Sequence, residues 1–165
     1  MTFGAYVHVP FCARRCDYCA FAAWDDRHEL TDRYLAALRR QAAREAPDCP
    51  PLTSVFVGGG TPSMVPADGL LAAVAELPLA DGAEVTVECN PDTVTPELVE
   101  AYAAGGVNRL SFGVQSMVPH VLASLGRAHD PTNVRHCVEL ARAAGLTFNL
   151  DVIYGAAGES LDDWR

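Results

Sequence analysis

Three cysteines fall within eight residues of the chain, Cys12, Cys16 and Cys19, spaced C-x3-C-x2-C, with Arg14 and Arg15 between the first two. Three thiolates that close repel one another unless a cation or a metal core holds them. Two kinds of centre meet that need. A zinc ion takes four N or S donors, so it needs a ligand beyond these three. His8 and His28 are near in sequence, but neither completes a usual zinc spacing. A [4Fe–4S] cluster held by three cysteines keeps one iron open, where a small molecule can coordinate. The other cysteines, Cys49, Cys89 and Cys137, are scattered. Cys137 lies on an apolar helical face, where a free thiol packs as a small hydrophobe.

The composition narrows the setting. The chain has 165 residues, 50% of them hydrophobic, and a net charge of -9. A domain of about 150 residues buries roughly 68–70% of its unfolded surface, so a core forms without disulfide staples. The acidic balance argues against nucleic acid or an anionic membrane surface as partner, because phosphate contact needs a basic face. No run approaches the ~20 apolar residues of a membrane-spanning helix. The N-terminus has no basic region leading into an apolar core. The reading is therefore a cytoplasmic protein whose clustered thiols bind metal rather than pair as disulfides.

Such a cluster must be carried by regular elements, and the chain alternates them. Strands are predicted over 5–9, 53–57, 84–88, 108–114 and 147–154, from β-branched runs closed by glycine or proline. Helices are predicted over 30–46 and 66–77, from Thr95 to the Gly105-Gly106 stop, from Asp130 to Gly145, and again from Glu159. Thr95-Pro96-Glu97 supplies a capping hydroxyl, a proline at the first helical position and an acid in the first turn.

Strands alternating with helices imply βαβ units and a parallel sheet, with strands apolar on both faces. Polar or glycine features stand at the strand ends: the Gly58-Gly59-Gly60-Thr61-Pro62 turn, Glu88, Gln115 and Asp151. Ligands of parallel α/β folds bind at the carboxyl ends of the strands, so these residues belong to one rim. Asp151, between Leu150 and Val152, reads as an acid in a buried strand, which is costly without a partner.

With Tyr18 just before its third cysteine, C-x3-C-x2-C resembles the signature of the radical S-adenosylmethionine superfamily. The blocks YVHVPFC, GGGTPS, ECNP, NRLSFGVQS, LGRAH and NLDVIYG follow in order from Tyr6 to Gly155. Together they resemble the oxygen-independent coproporphyrinogen III oxidase-like family. That resemblance implies an incomplete TIM-like (β/α) barrel, a [4Fe–4S] cluster, and S-adenosylmethionine bound at the open iron.

The same resemblance implies a role for each residue. Cys12, Cys16 and Cys19 would ligate three irons. Tyr18 would pack at the adenine, and Gly59, Gly60 and Thr61 would meet the methionine amine. Glu88 would hold the ribose hydroxyls and Arg127 the methionine carboxylate, with Gln115, Asp151 and Tyr6 completing the contacts. His8 and His129 are given supporting roles. The decarboxylating oxidase branch carries a further cysteine two residues after the third ligand, where this chain has Phe21. The pattern resembles the HemW-type haem chaperone branch instead, so haem or a porphyrin and a haem-accepting protein are the implied partners. Coproporphyrinogen III decarboxylation stays open as the alternative. Family members run well past the fifth strand, so residues 1–165 read as the N-terminal part of a radical SAM core, its last strand left with an unpaired edge.

Overall fold

The computed structural model describes residues 2–127 and 129–165; Ala128, within the LGRAH block, lies outside them. Five strands, β1 (Gly4–Val9), β2 (Leu52–Gly59), β3 (Leu79–Cys89), β4 (Arg109–Gln115) and β5 (Thr147–Val152), pair in parallel in their chain order. The crossovers carry α1 (Thr31–Glu45), α2 (Ala67–Val74), α3 (Pro96–Ala104), and then α4 (Pro119–Ser124) with α5 (Pro131–Ala143). Neighbouring parallel strands joined by crossovers of one hand put the helices on one side and curl the sheet. The result is the expected wall of an incomplete (β/α) barrel.

The helix side is the core. Val7, Val9, Val55, Val57, Val85, Val87, Leu110 and Phe112 alternate along their strands and pack against Leu35, Leu70, Val74, Val99, Tyr102 and Val134. Local chemistry fixes the helix ends. The Thr95 hydroxyl accepts from Leu98 N at 3.2 Å to start α3, and the Asp130 carboxylate accepts from Thr132 N at 2.8 Å to start α5.

The other side departs from expectation. The strands are not apolar on both faces. Parallel register aligns Tyr6 with Phe56, Thr86 and Arg109 in one row, Glu88 with Ser111 and Asn149 in the next, and Gly113 with Asp151 beyond. These side chains bond one another across strands instead of packing under helices. Asn149 Nδ2 donates to Ser111 Oγ at 2.9 Å, and Ser111 donates to Asp151 Oδ2 at 2.7 Å. Polarity inside the curl is thus satisfied laterally.

Three further expectations are corrected. Helix α4 was not anticipated. The helix predicted from Glu159 is absent: Ser160 and Asp163 exchange hydrogen bonds, but only turns follow through Trp164. Asp151 is not buried, because β5 is an edge strand with mostly exposed residues. Among the described residues, no helix is long and apolar enough to cross a membrane.

Candidate functional site

The cysteine loop is closed at its base by main-chain bonds. Proline ends β1, and Phe11 then pairs with Trp24. Trp24 N donates to Pro10 O at 2.8 Å and Cys12 N to Trp24 O at 3.0 Å. Within the loop, Cys19 N donates to Cys16 O at 3.1 Å. His8 Nε2 donates to the Ala22 carbonyl at 2.8 Å, which leaves Nδ1 to accept from the Tyr6 hydroxyl at 3.2 Å. Both histidine nitrogens are committed to holding the loop against β1. Cys12, Cys16 and Cys19 are half-buried free thiols.

The turn after β2 seats the first cysteine. Gly60 N donates to Val9 O and Thr61 N to Phe11 O, both at 2.7 Å. The Thr61 hydroxyl reaches Cys12 Sγ at 3.6 Å. Gly59 has φ +116°, and a Cβ there would run into the His8 ring, so a side chain is barred by conformation and by space. Its N–H donates to Glu88 Oε2 at 3.0 Å. Burial, and then the Asp151 charge, raise the Glu88 carboxyl above the ordinary value, while the Gly59 bond and His8 oppose the rise.

The far end of the chain closes the site from the other side. Arg127 Nη2 donates to Gly113 O at 2.7 Å, and Nη1 reaches Cys16 Sγ at 3.6 Å. Burial pushes the Tyr18 phenol up to about 12, with the Arg127 charge opposing and Cys16 and Cys19 adding to the rise. Gln115 ends β4 with φ +64°, the one non-glycine residue in that region among the described residues. The β4–β5 register shifts there. Such strain gathers where a strand end serves a ligand.

These groups enclose an open cleft of about 280 Å³ at the carboxyl ends of the strands. Its wall includes every residue assigned above to the cluster and to the cofactor except Tyr6. Tyr6 lies behind it, stacked on Phe56 with ring centroids 6.3 Å apart, and touches the site through His8. The wall also includes Ser111 and His129, which were not assigned there. Ser111 stands in the NRLSFG strand with the parity of Gly113 and Gln115, a signal the pattern already held.

Donor chemistry separates the two metal readings. Among the described residues, no three His, Cys, Asp or Glu donors are grouped as one ion would require. His8, the near candidate for a fourth zinc ligand, has no nitrogen free. Three cysteines that each hold a different iron need no common point, and a guanidinium beside Cys16 suits a thiolate that stays charged. The residues fit an iron–sulfur cluster, and no zinc-type donor group is formed among the described residues.

The sequence pattern of the Radical SAM superfamily matches residues 6–165. The chain belongs to the radical SAM superfamily, whose cofactors are a [4Fe–4S] cluster and S-adenosylmethionine. Within it, the chain is 42% identical over 98% of its length to the heme chaperone HemW of Mycobacterium tuberculosis H37Rv, and 36% identical over 96% to HemW of Escherichia coli K12. It covers 44% of each of those proteins, so it spans less than half the length of the relatives it matches. Among solved structures it is similar to E. coli coproporphyrinogen III oxidase, HemN, described as a radical SAM enzyme. The TM-score is 0.89 at 28% identity, covering 99% of this chain and 39% of that one.

Proposed function

We propose that the chain is the cofactor-binding part of a cytoplasmic HemW-type haem chaperone, which binds haem and passes it to an acceptor protein. The observation that carries this reading is Phe21. It is exposed in the cleft wall, where the decarboxylating oxidases that the sequence resembles have a further cysteine. The identities to HemW proteins agree with it.

Cys12, Cys16 and Cys19 each hold one iron. Thr61 and Arg127 lie against the first two sulfurs and limit their exposure to water. When bound, the cluster supplies the electron that cleaves the sulfonium of S-adenosylmethionine. Arg127 orients the methionine carboxylate, and the turn at Gly59, Gly60 and Thr61 receives the amine. Glu88 is fixed by the Gly59 N–H through one oxygen and offers the other to the ribose hydroxyls. Gln115 and Asp151 complete the polar rim, and Tyr18 faces the adenine. Tyr6 works at one remove, by holding His8.

The similarity to HemN supports a second reading, coproporphyrinogen III decarboxylation. One experiment separates the two. The protein reconstituted anaerobically is titrated with haem and, separately, assayed with coproporphyrinogen III and S-adenosylmethionine. Stoichiometric haem binding without decarboxylation is expected. Decarboxylation at a catalytic rate would contradict the chaperone reading.

A further inference from the structure

Ser111, Asn149 and Asp151 close a ring of hydrogen bonds across β4 and β5. Asn149 Nδ2 donates to Ser111 Oγ at 2.9 Å and to Asp151 Oδ1 at 2.7 Å, and Ser111 Oγ donates to Asp151 Oδ2 at 2.7 Å. Each oxygen of the Asp151 carboxylate is therefore held by a different neighbour. Both amide protons of Asn149 are used, and the Ser111 hydroxyl accepts one bond and donates one. The ring closes only one way round. Turning the Asn149 amide over would set its oxygen against the Asp151 carboxylate, so the nitrogen faces inward and Asn149 Oδ1 is left buried without a partner.

The strand around Asp151 does not hold its side chain by packing. β5 is an edge strand, and Asp151 is exposed on it. Its register partner on β4 is Gly113, which has no side chain to bond it. The donors come instead from the row before, where Ser111 and Asn149 are register partners. Ser111 is only 3% exposed, so its hydroxyl serves Asp151 rather than a ligand. Asp151 lines the cleft. A carboxylate left loose on a free edge loses rotamer freedom when a ligand arrives, and one already fixed does not pay that cost.

We propose that Ser111 and Asn149 are positioning residues, which fix the Asp151 carboxylate so that it meets S-adenosylmethionine already oriented. This rests on the reading that the cleft takes that cofactor and that Asp151 touches it. It gives one shared task to the buried serine of the NRLSFG strand and to the asparagine two residues before Asp151.

The test is a double-mutant cycle on S-adenosylmethionine affinity, by equilibrium dialysis on the anaerobically reconstituted protein, with iron content and Tm recorded for every variant. Ser111→Ala and Asn149→Ala are each expected to weaken binding about fivefold, the loss of one hydrogen bond. In an Asp151→Ala background neither should cost anything further, because the group they orient is gone. Losses that add to that of Asp151→Ala would mean that the two residues support the sheet or touch the ligand themselves. No loss with Asp151 in place would mean that its carboxylate needs no holding. Either result overturns the inference while the reading of the cleft stands. If Asp151→Ala binds as the wild type does, the contact assigned to Asp151 falls, and the inference with it. A wild-type protein with its cluster that binds no S-adenosylmethionine overturns the reading of the cleft as well.

Discussion

Arg127 and Cys16 are 111 residues apart in the chain and 3.6 Å apart in space. Spacing could show that three thiols belong together, because they share one loop. It could not show which distant side chain meets which sulfur, since that depends on how far the sheet curls. The expectation that Asp151 is buried failed for the same reason: parity along β5 was legible, but burial depends on whether a further neighbour covers the strand. Glu88 gives a prediction at this scale. Its carboxyl is raised by burial and by Asp151, so acidification from neutrality protonates it earlier than an exposed glutamate, and the ribose hydroxyls lose a charged acceptor. Affinity for S-adenosylmethionine should fall as pH drops through that raised value. Glu88→Gln should bind more weakly at neutral pH and lose this part of the pH dependence. Parallel pH profiles from equilibrium dialysis check it, and identical slopes would contradict the assignment.

At the scale of elements, the five strands and four of the five helices could be read from periodicity and caps. Boundaries moved by a few residues, most at β3, which begins at Leu79 and passes a register irregularity before Glu84. Helix α4 escaped notice because it has six residues and no side-chain cap at Val118, which leaves nothing for a pattern to grip. The opposite error came at Ser160. The capping pair forms, but a cap does not offset the cost of nucleating a helix. Two substitutions test how elements hold the site. Gly59→Ala forces a side chain to φ +116° and into the His8 ring, so it should cost about 2 kcal/mol or more and loosen the cysteine loop along with the fold. Thr95→Ala removes only the cap of α3. It should cost about 1 kcal/mol, lowering Tm by about 2–4 °C, and leave cofactor affinity unchanged. Thermal melts paired with iron analysis distinguish the two: iron loading should drop for the first and hold for the second.

Over the whole molecule, a sheet covered by helices on one side keeps its polar side for chemistry, and the cleft sits where that side meets the strand ends. The same arrangement leaves β5 as an edge, with Leu150 43% and Val152 54% exposed. An apolar edge with unpaired main-chain groups invites another chain. The 165-residue chain should therefore self-associate with rising concentration, and Val152→Lys should reduce this in sedimentation velocity. A monomer at every concentration would contradict it.

Cys12, Cys16 and Cys19 are proposed to hold a [4Fe–4S] cluster whose open iron takes S-adenosylmethionine. Iron and sulfide analysis of the anaerobically reconstituted protein, with the electron paramagnetic resonance spectrum of its reduced form recorded with and without S-adenosylmethionine, tests it most directly. Four irons per chain are expected, with a spectrum that shifts when S-adenosylmethionine is added and loss of both in Cys16→Ala. A colourless protein that takes up a single zinc, or a normal cluster in Cys16→Ala, would contradict it.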